Sequence, residues 1–288
     1  MKRGFANTDY GQVYFYIKGN GPTLLLLHPT PQSGRIYKRL ASKLAKNYRV
    51  VVPDTLGFGL SDPLPKDMTM ADLANSVAQV MDVADTERAH VFGFHTGNKI
   101  ATALAAEHPK RIGKLILCGQ THSLVAKQLD RNAAFGPITD RYFASAEAER
   151  NSDNSALAHM QWATETFSDF SRLWWDKRAI TEFGYSMELK RYLSARIMDL
   201  LQSKESTNAI YTANFIFDFE AALRRIVAPT LIIEVTSAAE AHLGPQAETL
   251  ANLMKDGLHT TIADGDREIL EMRTAEVRKL LVEFLTRT

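Results

Sequence analysis

The sequence predicts an α/β architecture built on one mostly parallel sheet and interrupted by an inserted helical segment. Three observations predict it. Short apolar runs bounded by turn residues recur along the chain, each followed by a stretch of helical periodicity. From about residue 123 to residue 211 that rhythm stops, and helix formers with scattered aromatic residues take over. It resumes at Ala228-Pro229-Thr230-Leu231-Ile232-Ile233, so the insertion interrupts one sheet domain and does not begin another.

Taken in order, 5–10 and 13–18 alternate apolar and polar residues and read as an antiparallel hairpin at one edge, with Gly11 in the turn. The runs at 23–27, 49–53, 90–94, 114–118 and 230–235 are rich in Val, Ile, Leu and Phe, as strands covered on both faces are, and 258–262, Leu-His-Thr-Thr-Ile, reads as a further strand. Helices are expected at 36–46, 70–84 and 98–108, where apolar residues recur at intervals of three and four. Thr69 stands where an N-cap belongs, immediately before Met70. Trp162, Phe167, Phe170, Trp174, Trp175, Phe183, Tyr185 and Tyr192 stud the insertion at spacings that bury one helix face. The expected organisation is therefore a core made of 1–122 and 212–288, with a helical lid at 123–211.

Composition narrows the function. The 288 residues are 45% hydrophobic, enough for a substantial core. Thirty-four basic against 33 acidic residues leave a net charge of +1, with no Lys/Arg run, so the electrostatic footprint of a nucleic-acid binder is missing. Cys118 is the single cysteine, which excludes an internal disulfide and cysteine-cluster metal sites and fits a reducing compartment. No segment reaches the roughly 18 apolar residues a membrane span needs, and the first residues lack the apolar stretch of a leader. The expectation is a cytoplasmic protein, a monomer or homodimer, that meets a small molecule and neither nucleic acid nor membrane.

The most informative residues are Gly93-Phe94-His95-Thr96-Gly97. Their spacing is that of a Gly-x-Ser-x-Gly nucleophile elbow, a sharp strand-to-helix turn that lifts its central side chain above the sheet. Histidine replaces the serine. It tolerates positive φ better than most bulky residues, and its imidazole moves protons where a hydroxyl would form an ester.

Further segments extend the likeness. Leu24 to His28 leads into Pro29-Thr30-Pro31-Gln32-Ser33, and 53–62 reads Pro-Asp-Thr-Leu-Gly-Phe-Gly-Leu-Ser-Asp. With the strand at 230–233 these segments, in this order, resemble the α/β-hydrolase fold family, specifically its lidded branch of dehalogenases, epoxide hydrolases, esterases and carbon–carbon bond hydrolases. The resemblance implies that the loop after His28 and the residue after the elbow donate oxyanion-hole N–H groups, here those of Thr30 and Thr96. It also locates the departures. The usual aspartate position after the strand at 230–235 falls at Ala238, the alternative acid position offers only Gln120, Thr121 and His122, and the usual histidine near the C-terminus is replaced by Asp266 in Gly265-Asp266-Arg267.

Two readings of His95 follow: an inert residue on a retained fold that binds a ligand or partner, or a general base or acid on the pedestal of the absent alcohol. Asp266 either holds the imidazole of His95 and fixes its tautomer, or pairs within a solvated loop with Arg267 and Glu268. Arg267 is a candidate clamp for an anionic substrate. His122, Phe135, Trp174, Trp175 and Tyr185 are candidates to line an apolar pocket. His28, His95 and His122 at neighbouring strand ends permit a metal-site reading, but their spacing matches no ligand motif. His28 is expected to support its loop, and no metal or cofactor is implied.

Overall fold

The computed structural model describes residues 1–119, 160–161, 163–164, 186–236, 244–265 and 269–287. An eight-stranded sheet forms its centre: β1 (Lys2–Thr8), β2 (Gly11–Lys18), β3 (Thr23–Leu27), β4 (Arg49–Pro53), β5 (Ala89–Phe94), β6 (Ile112–Cys118), β7 (Thr230–Val235) and β8 (Gly257–Ile262). Their order across the sheet is β1-β2-β4-β3-β5-β6-β7-β8. The β1–β2 and β2–β4 pairings are antiparallel and all others are parallel. Each expected strand is present.

Both faces of the central parallel strands are covered, whereas the edge strand β8 is largely open to solvent. Leu25, Leu27 and Val91 belong to one apolar cluster, Leu24, Leu26, Phe92 and Phe94 to another on the opposite face. That is why these strands read as unbroken apolar runs. On the first face lie α2 (Met70–Val83), α3 (Thr96–Glu107), α6 (Phe219–Arg224) and α7 (Ala247–Ala251); on the second lie α1 (Lys38–Leu44), α8 (Ile269–Met272) and α9 (Thr274–Leu285). The α4 (Met187–Gln202) and α5 (Lys204–Ile216) helices precede α6, and α5 runs continuously through positions 211 and 212.

Local chemistry explains where the elements begin. The turn between β1 and β2 is Asp9-Tyr10, not Gly11, because Thr8 pairs with Gly11 in register. The Thr8 hydroxyl donates to the Gly11 carbonyl at 2.6 Å and accepts from the Tyr10 N–H at 3.2 Å, closing the turn without a glycine inside it. The first helix is split, with a 3-10 turn at Gly34–Tyr37 ahead of α1. Helix α3 starts at Thr96, two residues before the periodicity alone placed it, because the elbow turns the chain directly into it.

Thr69 caps α2 as expected. Its hydroxyl accepts from the Asp72 N–H at 3.1 Å while the Asp72 carboxylate accepts from the Thr69 N–H at 3.0 Å, a reciprocal capping box. The Thr69 hydroxyl also lies within donating distance of the Asp72 carboxylate, at 2.6 Å, and this contact together with the Thr69 N–H bond holds the Asp72 carboxyl below its ordinary value. The Tyr10 hydroxyl also donates to Asp72, at 3.0 Å, tying the cap to the hairpin turn.

The registers set the site. Leu27 lies beside Gly93, Phe94 beside Cys118, and Cys118 beside Ile233. The residues that follow β3, β5 and β6 therefore emerge side by side at the carboxyl ends of the strands, where open α/β sheets hold their ligands.

Replacing Thr69 by alanine is expected to lower the unfolding free energy by about 1 kcal/mol, measured by urea unfolding at constant pH. An unchanged midpoint would mean that the cap adds nothing beyond the packing of α2.

Candidate active site

The strand-to-helix turn is built around two positions that admit no side chain. A Cβ on Gly93 would sit 2.4 Å from the Gly97 carbonyl oxygen, and one on Gly97 would sit 2.2 Å from that of Leu27. Strand β5, helix α3 and strand β3 thus meet backbone to backbone. Between the glycines His95 has φ 50° and ψ −111°, a conformation outside the broad regions open to L-residues. Such a residue costs on the order of 1–3 kcal/mol. The strain is held by the His95 N–H donating to the Cys118 carbonyl at 3.0 Å and by the His95 carbonyl accepting from the Asn98 N–H at 2.9 Å.

The imidazole is 6% exposed. It meets the Phe94 ring edge to face, with centroids 4.2 Å apart and planes at 74°. Its Nε2–Cε1 edge lies over Gly119, where a Cβ would come within 2.9 Å of Nε2. Gly119 has φ +71°, so conformation and space both ask for glycine.

Thr30 and Thr96, both buried, face each other across this turn. The Thr30 N–H donates to the Thr96 hydroxyl at 3.4 Å, so Pro29 does not swing that amide away from the elbow. The rest of the loop is fastened from several sides. The Gln32 N–H donates to the Pro29 carbonyl at 3.0 Å, the Ser203 hydroxyl to the Pro31 carbonyl at 3.2 Å, and the Tyr211 hydroxyl to the Thr30 carbonyl at 3.5 Å. Asp199 accepts from the Ser33 hydroxyl at 2.9 Å and from the Ser33 N–H at 3.2 Å, and lies 3.5 Å from the Arg35 guanidinium.

His28 is committed to the same loop. Its Nε2 accepts from the Thr55 N–H at 2.8 Å and its Nδ1 lies 3.1 Å from the Pro29 carbonyl. This arrangement requires the neutral ring with its proton on Nδ1. Burial lowers its pKa to about 4, against the opposing influences of Pro29 and Asp199. With both nitrogens used, His28 is no metal ligand, which removes one member of the three-histidine reading. Among the described residues no group of three or more His, Cys, Asp or Glu side chains is placed to hold a metal ion.

The segment 53–62 is a brace. Asp54 accepts from the Gly34 N–H at 2.8 Å and from the Leu60 N–H at 3.0 Å, which joins it to the loop carrying Ser33. Gly59 is required because its Cβ would fall 2.0 Å from Asp54 Oδ2, and Gly57 because its own would fall 2.3 Å from Ser206 Oγ. Ser61 donates to the Asp54 carbonyl at 2.6 Å and accepts from the Tyr14 N–H at 2.9 Å.

Several residues that fasten the walls of the crevice carry no motif in the sequence. Helices α4 and α5 turn a polar stripe inward, with Arg196, Asp199, Ser203 and Thr207 all buried. Their spacing of three and four is present in the sequence, but it runs through polar residues and so resembles a solvated helix face. Arg196 pairs with Glu271 of α8 at 2.5 Å, and Arg39 donates to the Glu271 carbonyl at 2.9 Å. Burial pushes the carboxyls of Asp54, Asp199 and Glu271 upward, opposed chiefly by the Leu60 and Gly34 N–H bonds at the first, by Arg35 at the second and by Arg196 at the third. Asn98, within the elbow motif's own helix, was missed as well. Asp266, Arg267, His122, Phe135, Trp174, Trp175 and Tyr185 lie outside the described residues, as does Ala238.

A family model described as "alpha/beta hydrolase fold" matches residues 22–233, which is most of the chain. The chain belongs to the α/β-hydrolase fold family. This α/β-hydrolase chain is 25% identical over 278 residues to the pyrrolizixenacetamide deacetylase of Xenorhabdus hominickii, covering 95% of this chain and 94% of that one. It is 35% identical over 114 residues to a 2-hydroxy-6-oxononadienedioate/2-hydroxy-6-oxononatrienedioate hydrolase of Paraburkholderia xenovorans, covering 38% and 39%. The chain spans 30–39% of the length of the first curated relatives it matches. Among solved structures, it superposes on the enol-lactonase from Burkholderia xenovorans LB400 with a TM-score of 0.72 at 21% identity, over 99% of this chain and 100% of that one. Among the described residues no helix is long and apolar enough to cross a membrane.

The neutral state required of His28 carries a pH signature. Its folded pKa lies below that of the unfolded chain, so its contribution is complete above about pH 6.5 and is lost as the pH falls toward about 4. The loss amounts to roughly 3 kcal/mol. Urea unfolding from pH 4 to 7 is expected to show a steeper acid loss for the natural protein than for His28→Gln. Equal slopes in the two proteins would remove His28 as the titrating group.

Proposed function

We propose that the chain is an enzyme in which His95 is the general base or acid in place of a nucleophilic serine. The substrate is a small, largely apolar compound bearing a carbonyl group. Asp266 orients the imidazole, and the N–H groups of Thr30 and Thr96 stabilise the oxyanion that develops on the carbonyl oxygen. The lid at 123–211 closes a pocket lined by His122, Phe135, Trp174, Trp175 and Tyr185, with Arg267 available to an anionic group. The chemistry is water-mediated hydrolysis, carbon–carbon cleavage, decarboxylation or elimination, without a cofactor, in a cytoplasmic monomer or homodimer.

One observation carries this reading: His95 occupies a strained φ of 50° with the Thr30 amide directed at the neighbouring Thr96. A scaffold that keeps two glycines and a costly backbone conformation around one side chain supports use of that side chain. The relatives' names support carbonyl chemistry, since one is a deacetylase and another hydrolyses oxo-dienoates by name.

A second reading, a non-catalytic protein that binds a ligand or partner, draws on the same ring, which is only 6% exposed and lies against Phe94. Turnover of a panel of esters, lactones, amides and oxo-dienoates separates the two. On the first reading His95→Ala lowers kcat by about 10²–10⁴-fold and leaves KM within about threefold, and a fluorophosphonate probe leaves the natural protein unlabelled. Turnover that survives His95→Ala, or labelling at a hydroxyl, would overturn the role of His95. Ligand binding without any His95-dependent turnover across the panel would establish the second reading.

A further inference from the structure

The side chain of Asn98 is 2% exposed and makes three hydrogen bonds, all to the end of β6. Its Nδ2 donates to the Cys118 carbonyl at 2.8 Å and to the Gly119 carbonyl at 3.1 Å, and its Oδ1 accepts from the Cys118 N–H at 3.0 Å. One amide thus grips consecutive peptide groups, a task that needs donor and acceptor in one planar side chain. The Cys118 carbonyl also takes the His95 N–H, so Asn98 and the strained residue share an acceptor. Beyond it, the Gly119 N–H donates to the Ile233 carbonyl at 2.9 Å, which anchors the far side of the same peptide run on β7.

Gly119 is the floor under the imidazole. Its bare Cα leaves no room for even one methyl, which would come within 2.9 Å of His95 Nε2, 3.0 Å of Phe94 Cε2 and 3.1 Å of His95 Cε1. A backbone at φ +71° held by three amide bonds on one side and a strand on the other does not yield easily. The ring is therefore confined between the Phe94 face and a fixed peptide.

We infer that Asn98 is a positioning residue for His95, acting through Gly119: by clamping the end of β6 it sets where the imidazole lies and which of its nitrogens faces the cleft. The inference rests on the reading of His95 as the reactive group for its importance, but not for its test. The role is one of positioning because the Asn98 side chain bonds the backbone of Cys118 and Gly119 and acts on the imidazole through them. Aspartate cannot replace it, because a carboxylate keeps the acceptor and loses both donations to the carbonyls. Alanine loses all three bonds, taking the acceptor from the buried Cys118 N–H and the Asn98 donor from the Gly119 carbonyl, while the Cys118 carbonyl keeps the His95 N–H.

The test is NMR of protein labelled with ¹³C and ¹⁵N in histidine, without substrate, with the His95 ring resonances assigned by their disappearance in His95→Gln. In Asn98→Ala the His95 ring ¹⁵N shifts should report a changed tautomer ratio and the Cε1–H signal should move and broaden. The signals of His90, His108 and His259, away from the clamp, should stay in place. Gly119→Ala leaves the clamp's partners intact and should displace the same His95 signals by pushing on the ring itself. Should Asn98→Ala not fold, Asn98→Asp and Gly119→Ala carry the decision. His95 signals unchanged in folded variants would overturn the inference. Once a substrate is in hand, kcat should fall by about tenfold or more in Asn98→Ala with KM little changed. A protein without turnover whose His95 signals still respond to Asn98 would sink the catalytic reading alone. One with turnover and unresponsive signals would sink this inference alone.

Discussion

Backbone contact at the elbow is the constraint on which the rest of the crevice depends. The Gly97 Cα faces the Leu27 carbonyl and the Gly93 Cα faces the Gly97 carbonyl, so a strand, a helix and a neighbouring strand share one small volume. Only this closeness lets α3 begin immediately after β5 and forces His95 to positive φ. Every polar feature around it then answers a need created by that turn. The Cys118 carbonyl receives the strained N–H, Asn98 ties β6 to the first turn of α3, and Thr96 comes within reach of the Thr30 amide.

A second layer fixes the loop after β3, which has no regular structure of its own to hold it. Its groups are satisfied by side chains from distant parts of the chain: His28 bridges to Thr55, Asp54 to Gly34, and Asp199 to Ser33. Buried carboxylates are tolerable here because each accepts N–H or O–H donors and Arg35 lies near two of them. The histidine and the aspartate of the two most recognisable loop segments are thus structural.

How much of this was legible in the sequence follows from which forces set each part. The strands were readable because burial on both faces leaves runs such as Leu24 to Leu27 nearly free of polar residues, and the α2 cap was readable because Thr69 immediately precedes the helical run that begins at Met70. The Gly11 turn was misplaced because Thr8 closes it with a hydroxyl, a local hydrogen bond that competes with glycine chemistry. The elbow was legible in type, since two glycines around one residue have few other uses. The direction of the Thr30 N–H was not, because it depends on contacts with residues as far along as Ser203 and Tyr211. Asn98 left no trace, since its partners are backbone atoms twenty residues on and any sequence supplies those.

The Arg196–Glu271 pair has a mechanical meaning for how anything gets in. Swinging α4 outward would part the buried Arg196 guanidinium from the Glu271 carboxylate, and would also strip Ser33 of its carboxylate partner. This helix is accordingly a wall and not a door. The ion pair resists any opening that would draw α4 away from α8.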